Sequence, residues 1–340
     1  MVRYGKWLSV TAALFALTLS GCATQGTPAA EPTASQTTEA PATEIAPLTG
    51  VEVATGTLAH PALLAKIDNQ ELARPQIGLN QADIVFEELV EGGITRYVAV
   101  WHSTIPTKIG PIRSIRPMDP DIASPFGGLI TYSGGQQRFI DMMQSTPVKN
   151  VIHGSEGTGN IITRDPNRIM PHDVVVDAEQ LVGQNSEIAP PPAAFAFTTG
   201  DAIPSAVAKG YEYNRLTILF SDYNEPSWQF DKKSGNYLRF QAGGAVDADE
   251  AGKQLTATNI IVQVVKETSE YGYVPRANVV GEGYGWLSTG GHSVEIQWKK
   301  DSATDMTHFY LGDGTEIVLA PGRTWIELMP DTGSFKGFPK

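Results

Sequence analysis

Eleven short runs of residues read as β-strands, none longer than seven residues, and turn-forming residues punctuate the chain between them. Four lie in the first half: Ala62–Ile67, Asp83–Glu87, Thr95–Trp101 and Leu129–Tyr132, with Gly92-Gly93 as the turn between the second and third. Two helix-compatible stretches fall in the same region, Gln136 to Gln144 and Ala178 to Val182, the latter with Asp177 as N-cap candidate. This half predicts a mixed sheet with flanking helices. The remaining seven runs are Leu216–Phe220, Tyr237–Phe240, Ile260–Val265, Ser293–Trp298, His308–Leu311, Ile317–Leu319 and Thr324–Leu328, with turn signals at Asp231–Gly235, Gly290-Gly291 and Gly312–Gly314. The fold class expected is therefore α+β or α/β, an N-terminal mixed sheet followed by a β-rich C-terminal domain. The glycine-rich stretch Gly281-Glu282-Gly283-Tyr284-Gly285 reads as a turn, because no helix can start well at the Trp286–Gly291 sequence behind it.

A chain of 340 residues predicts two domains. The run Glu187–Pro192, which ends in three prolines, is the best boundary and gives domains at 48–195 and 205–340. With 41% hydrophobic and 18% charged residues, wholesale disorder is excluded. The net charge of −12 argues against nucleic acid, whose phosphates need a basic face. The single cysteine excludes a disulfide framework, a CxxC redox motif and a cysteine-rich zinc site.

That cysteine ends a short export signal over residues 1–22. Arg3 and Lys6 are its positive end, and Trp7 to Leu19 is an apolar stretch too short for a spanning helix, which needs about 20 residues. The sequence Leu19-Ser20-Gly21-Cys22 looks like a bacterial lipobox, with the Cys22 thiol as the acceptor of diacylglycerol, and two acyl chains suffice for stable membrane attachment. Residues 23–47 hold four Pro, six Thr, seven Ala and three Glu with no Lys or Arg, and are expected as a disordered tether into the extracytoplasmic space.

Several chemistries have no motif here. The one cysteine is taken by lipid, and no G-x-S-x-G, S-x-x-K, H-E-x-x-H or G-x-x-x-x-G-K-[ST] occurs. His172, Asp173 and Asp165 do not complete a ligand set, so neither metal nor cofactor is expected. Basic residues, however, collect locally. Six of the twelve arginines (Arg96, Arg113, Arg116, Arg138, Arg164 and Arg168) fall between residues 96 and 168. Residues 92–172 carry eight Lys/Arg against five Asp/Glu, among many glycines. Guanidinium forks match carboxylates and phosphates, and glycine lets backbone amides approach an anion. The competing reading is structural pairing with nearby acids. Within Lys108–Pro117 the pattern leaves two geometries open: an extended run that separates Arg113 from Arg116, or a turn that lets them converge.

At this point the chain resembles a known family. Ile67-Asp68-Asn69, Ala73-Arg74-Pro75-Gln76, Ala82–Glu87, Val90–Arg96, Ile109–Pro117, Gly134-Gly135 and Arg168–His172 are similar to the motif series of the YerB-type bacterial lipoproteins, the domain of unknown function 3048. Thr258–Val262, Trp298-Lys299-Lys300 and Pro321–Ile326 fit the family's C-terminal part. The resemblance implies an envelope lipoprotein with an α/β N-terminal part and a β-rich C-terminal part, and carries no catalytic residues. A second likeness is to the LytR-CpsA-Psr phosphotransferases, which hold a polyprenyl pyrophosphate with arginines. Their Pro-Arg-Asp-Thr signature is missing, since Ser114 follows Arg113.

The expected function is an envelope protein, membrane-anchored through Cys22, that binds an anionic cell-wall precursor or polymer, or a partner in wall synthesis. Arg96, Arg113, Arg116 and Arg164 are the expected charge clamps, with Ser114 between two of them and Asn69, Arg74, Glu87 and His172 beside the ligand. The alternatives are an envelope enzyme acting on phosphate or peptidoglycan linkages with Glu87 or His172 as base, and a scaffold that binds proteins through surface strands.

Overall fold

The structure, a computed structural model, describes residues 42–339. The export signal, Cys22 and most of the expected tether lie outside the described residues. Three strands at the centre follow from the longest apolar runs of the first half: β1 (Leu63–Asp68), β2 (Ile84–Leu89) and β3 (Thr95–Trp101). Strand β3 runs antiparallel to both neighbours, and Arg96 stands in register with Asp68 on one side and Glu88 on the other. Strands β4 (Leu129–Tyr132) and β5 (Lys149–Ile152) continue outward from β1 in parallel.

The second half supplies β6 (Tyr211–Glu212), β7 (Arg215–Leu219), β8 (Ser227–Asp231), β9 (Asn236–Phe240), β10 (Thr256–Ala257), β11 (Asn259–Tyr271), β12 (Gly281–Thr289), β13 (His292–Lys300), β14 (Thr324–Pro330) and β15 (Ser334–Phe338). The main sheet has the order β6-β13-β12-β11-β14-β2-β3-β1-β4-β5, and two more strands pair with β11 and β13 to make twelve. Strand β14 lies between β11 and β2, parallel to both. The halves read as an N-terminal mixed sheet and a β-rich domain thus contribute to one mixed sheet. The physical reason is that β2 would otherwise present an open edge of unpaired amides and carbonyls, and β14, buried at every position, satisfies it.

The flanking layers differ from the expectation. Among the described residues the α-helices are short: α1 (Asp119–Ala123), α2 (Gln137–Gln144), α3 (Ala178–Gly183) and α4 (Ser205–Lys209). The N-cap read at Asp177 is present, its carboxylate accepting the Gln180 N–H at 2.9 Å. Leu64, Val98, Val100 and Ile326 pack on one face of the sheet against Ile122, Phe139 and Met143 of α1 and α2. On the opposite face, Tyr97, Ala99 and Trp325 pack against Leu216, Trp228 and Tyr237 of a five-stranded sheet of order β10-β9-β8-β7-β15. Helices therefore cover part of one face, and a second sheet covers much of the other.

Two local expectations are corrected. The Gly281–Gly285 stretch is not a turn but the start of the nine-residue strand β12. A Cβ at Gly285 would strike the Val262 carbonyl, and one at Gly283 would strike the Trp298 ring. Glycine here serves close approach within a ladder, which overrides its weak strand propensity. The tether expected to run to residue 47 also ends sooner. Thr43–Ile45 pairs with Glu52–Ala54, and the Ala46 N–H donates to the Val51 carbonyl at 2.9 Å.

The two sheets meet on a buried ion. Alternation along β9 turns Tyr237 and Arg239 inward. Arg239 is fully buried. Its Nη2 reaches Glu87 at 2.6 Å, Nε reaches Asp247 at 2.9 Å and Nη1 reaches Glu327 at 3.4 Å. The guanidinium lies 4.7 Å from the Trp325 ring centroid and 5.2 Å from that of Trp228. Burial opposes its charge, but Glu87, Tyr97, Glu327 and Asp247 together hold its pKa well above the ordinary value. Burial and adjacent Glu87 push Glu327 well above the usual carboxylate range. Glu87 and Glu327 stand in register on β2 and β14, and the Arg239 cation they share, with Glu327 held toward its neutral form, keeps the pair from repelling. Replacing Arg239 with Met should destabilise the protein by about 3–5 kcal/mol, because acids are left buried without their cation. A lowered urea midpoint is the expected result, and an unchanged one would contradict this account.

Candidate functional site

Successive residues of a strand face opposite ways, so the β2–β3 hairpin and the end of β1 divide the candidate residues between two faces. Lys66, Asp68, Glu88 and Arg96 lie on the helix-covered face; Asn69, Glu87 and Thr95 lie on the side of the second sheet.

On the first face, the segment Ile112–Arg116 crosses the carboxyl ends of β1 and β4. The Arg113 N–H donates to the Lys66 carbonyl at 2.7 Å, the Ile115 N–H to Gly134 at 3.0 Å, and the Ser133 N–H to Arg113 at 3.0 Å. This stitching fixes the segment against both strands, with its turn beginning only at Pro117, and guanidinium groups gather beside it. Nη1 of Arg96 and Nη1 of Arg116 donate to one acceptor, the Ser114 carbonyl, at 2.9 and 3.2 Å, so they lie no more than 6.1 Å apart. Arg113 binds Asp68 through Nε at 3.0 Å, and Arg116 binds Glu91 through Nε at 2.7 Å. Arg96 has no carboxylate partner of this kind among the described residues. Only 5% of it is exposed, its Nε meets no acceptor, and it forms no ion pair among the described residues.

Electrostatically, three guanidinium groups face two carboxylates, Asp68 and Glu91. Burial, then Arg116 and Arg113, lower the Arg96 pKa to about 10, which still leaves it charged at neutral pH. Arg116 in turn holds Glu91 below its ordinary value against the effect of burial. Beneath the cluster, Lys66 is buried between Glu88 and Asp119, and the Asp119 carboxylate also accepts the Arg116 N–H at 2.6 Å.

The other expected residues are dispersed. His172 is buried, its Nδ1 2.7 Å from the same Asp68 oxygen that Arg113 contacts, so it braces the cluster from behind. Arg164 turns away to pair with Asp173 at 2.7 Å, its side chain 45% exposed. Glu87 is sealed between the sheets on Arg239 and Thr95, out of contact with solvent, where no substrate reaches it as a base. Asn69 and Arg74 line a polar cleft beyond the hairpin, with Thr95, Asn224 and Gln241. Sequence reasoning missed Asp68, Glu91 and Arg239 as the partners that fix these groups. The one signal available was an arginine on the same side of a strand as buried Tyr237. Among the described residues no group of His, Cys, Asp and Glu is arranged to hold a metal ion.

Comparison with known proteins gives concordant matches. The family model described as the N-terminal domain of the protein of unknown function DUF3048 matches residues 48–188, and that of its C-terminal domain matches residues 216–326. The protein named "Putative lipoprotein YerB" from Bacillus subtilis (strain 168) is 28% identical over 297 residues, 84% of this chain and 86% of that one. The crystal structure of Bacillus subtilis YerB superposes with a TM-score of 0.74, covering 86% of this chain and 99% of that chain at 24% identity, which supports the same fold.

The Lys66–Glu88–Asp119 group predicts a pH dependence. Burial and the neighbouring Asp119 raise the Glu88 pKa from 4.5 to about 8, outweighing Lys66. Unfolded, Glu88 releases its proton near 4.5, whereas the native state retains it. Its contribution is therefore complete below that pH and declines as pH rises through about 8. Urea midpoints across this range should fall more steeply for the wild type than for Glu88→Gln. Parallel profiles would show that Glu88 does not titrate in this way.

Proposed function

The chain belongs to the DUF3048 family, and from that premise we propose that it is a lipid-anchored protein of the bacterial cell envelope that binds an anionic cell-wall precursor or polymer through Arg96, Arg113 and Arg116. The observation that carries the reading is Arg96, a buried guanidinium among two others with no carboxylate of its own. Burying a charge is costly unless a counter-charge arrives, so the cluster is complementary to an oxyanion that the chain itself does not supply. Arg113 and Arg116 are partly exposed and form its accessible edge. A phosphate or carboxylate taken there would exchange contacts with Asp68 and Glu91 for contacts with the ligand.

The anchoring part of the proposal rests on the Leu19–Cys22 sequence and on the relative's name as a lipoprotein. No helix among the described residues is long and apolar enough to cross a membrane. The acidic remainder of the chain would repel stray polyanions and leave the cluster as the attractive spot.

The test is a titration of the full-length protein with inorganic pyrophosphate and with a polyglycerol-phosphate polymer, neutral dextran serving as control. Arg113→Ala and Arg116→Ala should each weaken binding of the anions by about tenfold, the scale of one charge-assisted contact. Raised salt should weaken the wild type further. Binding unaltered by both substitutions would remove the arginine cluster from the function.

A further inference from the structure

On the other face of the β2–β3 hairpin lies a cleft of about 590 Å³, lined by Asn69, Arg74, Thr95, Asn224 and Gln241, with Tyr223 at its rim. Both halves of the sequence contribute to its walls. Two groups in it are held firmly and left incomplete. Arg74 donates through Nε to the Asn69 side-chain carbonyl at 3.2 Å and through Nη2 to the Asn69 backbone carbonyl at 2.7 Å. The fork is thereby oriented, while Nη1 meets no acceptor and no carboxylate pairs with Arg74 among the described residues. Gln241 is 5% exposed. Its amide nitrogen donates to the Asp247 carboxylate at 2.6 Å, which fixes which end of the amide is which. Its carbonyl, Oε1, is buried without a donor. Asn69 Oδ1 is 3.2 Å from the Arg74 Nε and 3.4 Å from the Gln241 Nε2, so the two side chains stand within 6.6 Å of each other.

The cleft therefore lacks one anion at Arg74 and one N–H or O–H donor at Gln241, a short distance apart. The last residue of a peptide carries both, a carboxylate and, next to it, an amide N–H. Asn69 and Asn224 are bound to Thr95 and hold the wall in place, and Tyr223, 79% exposed, can cover a side chain. Glu71, also in the lining, disfavours a phosphate-rich polymer and leaves a single carboxylate on a neutral body as the better match. We propose that this cleft is a second binding site, separate from the arginine cluster, that receives the free carboxyl terminus of a peptide, with the carboxylate on Arg74 and the terminal N–H on Gln241.

The experiment titrates the full-length protein with N-acetyl-dialanine as the free acid, with the same peptide as its carboxamide, and with glucuronate. The free acid should bind saturably, the carboxamide at least tenfold more weakly, and Arg74→Ala should cost a similar factor. Saturating pyrophosphate should not displace the peptide, which keeps this result independent of the arginine cluster. If Arg74→Ala melts early, Arg74→Lys takes its place. That variant keeps the charge but loses the fork, and should bind at least threefold more weakly at an unchanged melting temperature. Equal affinity for acid and carboxamide, tighter binding of glucuronate than of the peptide, or Arg74 variants that bind as the wild type does would overturn the proposal.

Discussion

The buried Arg239 guanidinium is the interaction on which the arrangement depends. It comes from the five-stranded sheet, yet its acids come from elsewhere: Glu87 from β2, Glu327 from β14 and Asp247 from the loop after β9. Indole rings close over it, and the Trp228 N–H donates to Glu327 at 2.7 Å. Buried ion pairs often contribute little net stability compared with apolar packing, but they punish misplacement severely. A misplaced docking of the two sheets would leave this group buried without its acids. The Glu87 carboxylate passes that precision on, since it accepts the Thr95 hydroxyl at 2.6 Å, and Thr95 in turn receives Asn69 and Asn224. The wall of the polar cleft is thus an extension of the core.

Strand alternation explains why neighbours in sequence do different things. Glu87 joins the sheet-to-sheet network while Glu88 joins Lys66 and Asp119. Thr95 faces the cleft while Arg96 faces the cluster. Asp68 braces Arg113 and His172, while Asn69 orients Arg74. One hairpin and the strand beside it therefore build two polar sites that share backbone and no side chain.

Much of the strand inventory was legible because each strand buries apolar residues at regular spacing; Thr95–Trp101 and His308–Leu311 fall where the pattern puts them. The gathering of Arg113 and Arg116 around Arg96 was legible only as a local excess of arginine, because the strands that place Arg96 beside Ser114 are paired through long-range contacts. Arg239 was not read at all. Its partners lie 152 and 88 residues away, at Glu87 and Glu327, and no local spacing reports such a pairing. Gly283 and Gly285 misled for the same reason, since the atoms that demand glycine belong to β11 and β13.

The position of β14 has a consequence for synthesis. Residues 324–330 fill the slot beside β2, so the middle of the main sheet stays open until residue 330 has emerged. A nascent chain stalled after its first half would hold Glu87 with no cation and β2 with a bare edge, which invites pairing with other chains. Such a molecule cannot mature piece by piece as it appears. It must wait for residues 324–330 and then close in one long-range step, and until that moment it is a client for whatever holds unfinished chains apart.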